Sequence, residues 1–276
     1  MLFPTVYPES TMALMGSDEI TWNAETFAAP IIEAIISFQC DPKPGLSMDA
    51  LDSEVRKSFD TGYPNIETLK AQKFEFAFGP EIQADVQPVS GMESVEAYRL
   101  SSTDRKQLIQ LRADAMHFNR LARYTSLDNY KEDIAAAWNI YREIFQPIVV
   151  NKISVRYINR IELAFRDPLQ KTIELGDYFT TSPANIPGNG LALTGLFQSF
   201  SLLCPKSKAI AKTTISTEKT TECGGSLLLD IEASLNVSSP PNDFSEFEEI
   251  LEILRDLKNQ IFQSTLTDRC RSQYQP

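Results

Sequence analysis

The stretch Val149-Val150-Asn151-Lys152-Ile153-Ser154-Val155-Arg156-Tyr157-Ile158-Asn159-Arg160-Ile161-Glu162-Leu163 decides the fold. From Ile153 onward apolar and polar side chains alternate along it, the period of a half-buried strand and not of a helix. Ile153, Val155, Tyr157, Asn159, Ile161 and Leu163 share one face, while Ser154, Arg156, Ile158, Arg160 and Glu162 share the other. The first face is expected to lie under helices. Asn159 then sits among apolar neighbours, where an unpaired amide costs about 1–3 kcal/mol, so it should tie down nearby backbone.

On the N-terminal side the period changes to 3.6. Leu127, Tyr130, Ile134, Ala137, Trp138 and Tyr141 form one apolar stripe, which predicts a helix from Ser126 to about Gln146 that Pro147 ends. Further upstream, Pro30 to Cys40 reads as a buried strand and Ser47 to Asp60 as a helix, with Ser47 at its N-cap and Gly62 past its end. Three strands are expected next, near Leu69–Phe78, Ser94–Ser101 and Leu108–Tyr124. Residues 1–28 show turn formers without a sustained period and read as an N-terminal arm.

On the C-terminal side a short helix near Glu174–Thr180 and a loop through Pro183, Pro187, Gly188 and Gly190 lead to strands at Leu193–Leu203, Ala209–Thr217 and Leu227–Val237. The last helix runs from Phe244 to Thr265, with Phe247, Leu251, Leu254, Leu257 and Ile261 inward and Asp243 with Glu246 resembling a capping box. In the third of these strands Leu229, Ile231, Ala233 and Leu235 point inward, and Asp230 and Glu232 outward.

The order is strand, helix, three strands, helix, and then the same again. Ile144-Phe145-Gln146 recurs as Ile261-Phe262-Gln263, and 261 − 144 = 117. The same offset carries Ile36-Ser37 onto Ile153-Ser154. The expected fold is therefore α+β, an internal duplication of β-α-β-β-β-α units at 29–149 and 150–276 within one structural domain. Their first strands or edges would pair to build one long curved antiparallel sheet with helices on one face, an architecture like that of TATA-binding-protein-like and GyrI-like folds. The concave face is left for a ligand or partner.

Composition narrows the partners. Twenty-six Lys and Arg against 37 Asp and Glu give a net charge of −11, which disfavours nucleic acid and acidic membranes. A basic face of Arg112, Arg120, Arg123, Arg156 and Arg160 is the one route by which nucleic acid could still bind. The opening residues have no basic leader and no run approaches a membrane span, so a cytoplasmic protein is expected. Four cysteines without a CxxC pair read as reduced thiols, and no motif asks for a metal or cofactor. His117, the sole histidine, has no G-x-S-x-G nucleophile to serve and reads as a strand residue. No residue is assigned a catalytic role.

Arg156 and Arg160 project onto the open face, with Asp230 and Glu232 on the same side if their strands share the sheet. Two arrangements fit: a charged pocket in which the arginines hold an anionic group, or a ladder of salt bridges across an exposed sheet face.

Arg156-Tyr157-Ile158-Asn159-Arg160-Ile161, taken with Leu257-Lys258-Asn259, Phe262, Leu266 and Thr267, resembles the RYINRI and KNxxFxxxLT motifs of a sporadically distributed family of uncharacterised bacterial proteins of about this length. Pro30-Ile31-Ile32-Glu33-Ala34 and Leu229-Asp230-Ile231 match as well. The resemblance implies no activity. It marks Arg156, Asn159, Arg160, Asp230, Lys258 and Asn259 as motif positions, with Tyr157 among them in the strand. The expected function is a non-enzymatic ligand- or protein-binding module of a bacterial accessory or defence-type system that uses the concave face. The alternative is an enzyme for a small anionic substrate, with Arg156 and Arg160 as clamps and Asp230 or Glu232 as base.

Overall fold

A computed structural model describes residues 30–73, 92–121, 124–165, 173–181, 194–220 and 224–274. The arm at 1–28 and the loop through Pro183, Pro187, Gly188 and Gly190 lie outside the described residues, as does part of the strand expected to reach Phe78.

The first half carries β1 (Ile31–Asp41), α1 (Asp52–Phe59), β2 (Asn65–Lys73), β3 (Met92–Ser101), β4 (Gln107–Arg112), β5 (Ala115–Leu121) and α2 (Lys131–Phe145). The second carries β6 (Val149–Ala164), β7 (Phe197–Leu203), β8 (Ile210–Thr220), β9 (Gly224–Ser239), α3 (Glu248–Thr265) and α4 (Asp268–Ser272). Among the described residues nine strands form one antiparallel sheet in the order β2-β3-β4-β5-β1-β6-β9-β8-β7, with four helices on one side.

The long strand chosen from sequence is β6, at the centre of that sheet. Its predicted inner face is buried: Ile153, Val155, Tyr157 and Ile161 are wholly inaccessible and Asn159 nearly so. β9 supplies Leu227, Leu229, Ile231 and Ala233 to the same layer. A Cβ at Gly224 would stand 2.1 Å from the Leu163 carbonyl oxygen, so only glycine lets β9 start this close to the end of β6.

Three expectations need correction. Leu108–Tyr124 is not one strand but two, because the chain reverses at Ala113-Asp114, a turn without the glycine or proline that announces one. The short helix near Glu174–Thr180 is one 3-10 turn, Leu175–Asp177, followed by a bridge between Phe179 and Leu266. Ser47 and Asp243 make no side-chain cap bonds; Glu246 instead accepts from the Asn242 amide at 2.6 Å.

The two halves meet along β1 and β6, whose antiparallel register sets Ser37 opposite Ser154, and 154 − 37 = 117. Shifted by the same offset, the Ser37–His117 pair of β1 and β5 becomes the Ser154–Ser234 pair of β6 and β9. Lys131 opens α2 and Glu248 opens α3, again 117 apart. Over the seam, Trp138 of α2 packs on Phe38 of β1 at 4.7 Å between ring centroids and on Phe247, ahead of α3, at 5.7 Å. The aromatic core thus joins elements from both halves.

No helix among the described residues is long and apolar enough to cross a membrane.

Candidate functional site

The sheet face opposite the helices is a ladder of charge. Arg156 donates from Nε and Nη2 to the two carboxylate oxygens of Asp230 at 2.9 and 2.6 Å. Lys152 bonds Glu232 at 3.2 Å. Arg160 reaches Glu218 on β8 in a second two-pronged pair, its Nε at 2.7 Å, and Ser226 donates to the same carboxylate at 2.8 Å. Strand alternation explains the pattern, since each partner is one or two strands away on the same face. Asp230 and Glu232 share the face of Arg156 as alternation predicts; Glu218 lies one residue past the strand expected at Ala209–Thr217, which in fact runs on to Thr220.

Arg156, Asp230 and Glu232 line an open basin of about 380 Å³ with Phe197, Lys212, Thr214 and Ser216. Arg160 stands outside it. The basin is a depression in an exposed sheet and not an enclosed pocket, and both of its carboxylates already hold a cation. Phe197 is the unexpected member. It is 77% exposed on the edge strand, pointing to the same side as Thr214 and Asp230. It shares that face with Ser199 and Ser201, and a ring in line with alternating serines is the signal available in the sequence.

A second hollow of about 240 Å³ lies toward the first half, lined by Gln39, Arg112, Asp114, His117 and Asn151 among others. His117 Nδ1 and Ser37 Oγ stand 2.8 Å apart beside it. Burial, helped by Arg112, holds the imidazole below its ordinary pKa, so it is neutral at pH 7. Cys40 borders the hollow as a thiol that burial pushes up to about 12, too high to furnish a thiolate.

The arginines considered for nucleic acid do not form one face. Arg120 turns to the helix side and lies over the Tyr130 ring at 5.0 Å, whereas Arg112, Arg156 and Arg160 are each paired with carboxylates. Arg123 lies outside the described residues.

The motif residues divide between the two sides of the sheet. Arg156, Arg160 and Asp230 belong to the open face; Tyr157, Asn159 and Lys258 lie beneath the helices. Asn159 donates to the carbonyls of Tyr157 at 3.3 Å and Leu229 at 3.0 Å, tying β6 to β9 as its sequence context required. Tyr157 shares a 2.8 Å hydroxyl bond with Tyr124. Lys258 of α3 is buried, its Nζ 3.9 Å from the centre of the Tyr157 ring. Burial, with Arg255 adding, lowers this ammonium to about 7. Asn259 is half-buried on the same helix. Among the described residues no group of three or more His, Cys, Asp or Glu side chains could hold a metal ion.

Two substitutions separate structure from surface here. Asn159→Ala should lower unfolding free energy by about 1–3 kcal/mol in urea titration, because two buried carbonyls lose a donor. Arg156→Ala should cost about 1 kcal/mol or less, since the arginine is 43% exposed and solvent screens its pair. A larger loss would mean that the ladder is a structural requirement and not a surface.

No protein-family model matches this chain, and no curated protein matches it.

Proposed function

We propose that the chain is a non-enzymatic, cytoplasmic binding module of a bacterial accessory or defence-type system, and that it takes a protein partner on the open face of its sheet. The observation that carries this reading is Phe197: a 77% exposed ring beside a polar basin whose two carboxylates are already paired. An apolar anchor beside a polar rim suits a protein interface, where aromatic and arginine residues supply most of the affinity.

The pairing of Arg156 with Asp230, and of Arg160 with Glu218, favours a protein over a small anion. A clamp for an anion needs guanidinium donors free to accept it, and both forks are occupied. The same pairing weighs against the enzyme reading, because Asp230 and Glu232 each hold a cation that a general base would have to release.

The single 117-residue offset that relates the halves in strand seam, strand pair and helix start supports descent from a duplicated unit, in an architecture like TATA-binding-protein-like and GyrI-like folds. α1 and β2 are then additions to the first half.

Isothermal titration with inorganic phosphate and with citrate tests the choice of partner class. Neither should give saturable heat. A one-to-one isotherm that Arg156→Ala abolishes would restore the small-anion reading.

A further inference from the structure

The two edges of the sheet are built differently. β2, at one edge, carries Glu67, Lys70 and Lys73, and two of these are tied to β3 through Glu67–Arg99 and Lys70–Glu93. Charges of this kind are how a sheet edge resists pairing with another chain. β7, at the other edge, reads Phe-Gln-Ser-Phe-Ser-Leu-Leu, with no charge and no proline. Four of the large apolar side chains that stand most exposed among the described residues lie here: Phe197, Leu202, Leu203 and, across from Leu203 on β8, Ile210.

Two of the three side-chain pairs of β7 match in kind about its middle residue. With Phe200 opposite its own copy, Phe197 meets Leu203, Gln198 meets Leu202, and Ser199 meets Ser201. Residues opposite one another in an antiparallel pair share a face, so the apolar pair Phe197 with Leu203 falls on the open face and the Phe200 pair on the other. A strand from an unrelated protein would call for no such symmetry. Electrostatics agree, because two copies of net charge −11 repel each other except where the surface lacks acids. β7 has none, and the turn that follows adds Lys206 and Lys208.

We infer that β7 pairs antiparallel with β7 of a second copy, centred on Phe200, to join two nine-stranded sheets into one continuous sheet about a twofold axis. Leu203 of the partner subunit then stands beside Phe197 and extends the wall of the basin that Phe197, Arg156 and Asp230 line. This goes beyond the open-face reading and shares Phe197 with it.

Sedimentation velocity of the full chain across micromolar concentrations should show a species of twice 31.0 kDa. Ser201→Lys, which sets a cation opposite Ser199 of the partner subunit, should weaken self-association by about tenfold or more while the circular dichroism stays unchanged. Should that variant fold poorly, register supplies the second test. In a Cys204→Ser background, Ser199→Cys and Ser201→Cys chains mixed under oxidation should cross-link to each other faster than either does to itself. A monomer at every concentration, a dimer untouched by Ser201→Lys, or cross-linking without that preference would each overturn the pairing. Open-face binding would survive all three results, because Phe197 is already exposed in the single chain and the charged ladder of β6 and β9 does not depend on the dimer.

Discussion

Between pH 7 and pH 9.5 the folded protein should gain about 3 kcal/mol of stability from one side chain, Lys258. Its ammonium is lowered to about 7 when folded, against 10.5 for an ordinary lysine. In the window between these values the unfolded chain holds a proton that the folded chain has released. Stability therefore rises with pH through the window, is fully penalised below about 7, and is free of the penalty above 10.5. The whole window is worth on the order of 5 kcal/mol at about 1.4 kcal/mol per pH unit. The face of Tyr157 attracts the ammonium and trims the shift, while Arg255 on the same helix deepens it.

Other groups act in the opposite sense. Cys40 and Tyr98 are each pushed up to about 12 by burial, so they erode stability once the unfolded chain begins to lose those protons. The Lys258 contribution is therefore read as a difference: urea titrations of the native chain and of Lys258→Met at pH 7 and 9.5. The variant should be the more stable at pH 7, and the gap should close as pH rises. Parallel pH profiles would show that Lys258 keeps its charge in the fold.

Replacing Trp138 with alanine should cost about 3–5 kcal/mol, enough to unfold a marginal protein. Trp138 is fully buried, packs on Phe38, Tyr141 and Phe247, and donates from its indole nitrogen to the Asn242 carbonyl at 2.8 Å. The substitution opens a cavity where α2, β1 and the turn before α3 meet, and leaves that carbonyl without its donor. Because the ring bridges elements of both halves, urea unfolding should remain one cooperative transition at a lower midpoint. Two separated transitions would mean that the halves unfold independently and that Trp138 serves only its own.

The sequence made the second half easier to read than the first, for a physical reason. β6 and β9 are each covered by helices on one face and open on the other, so their burial alternates and the period of two survives in the residues. Both long helices expose one side and keep the stripe that predicts them. In β4 and β5 the residues hide the period: Leu108 sets an apolar side chain on the open face next to buried Ile109, Ala115 and Met116 are buried in succession, and the turn at Ala113-Asp114 has ordinary turn chemistry only in its aspartate.

The site was legible as a set of residues and not as a set of partners. Alternation alone places Arg156, Arg160, Asp230 and Glu232 on one face. Which carboxylate each cation takes depends on strand order and register, and those brought Glu218 to Arg160 and Lys152 to Glu232. Lys258 shows the same limit from the other side. Its place in a terminal motif singled it out, but only the packing of α3 on β6 reveals a buried amine over an aromatic ring.

The claim that the open sheet face takes a protein partner is tested most directly by photo-cross-linking from both sides of the sheet. Benzoylphenylalanine placed at Thr214, inside the basin, is compared with the same group at Asp256, exposed on α3. In cells that express the chain, a discrete adduct other than the dimer should form from Thr214 and not from Asp256, and Asp230→Arg should abolish it. Equal adducts from the two sites, or a Thr214 adduct indifferent to Asp230→Arg, would contradict the assignment of binding to this face.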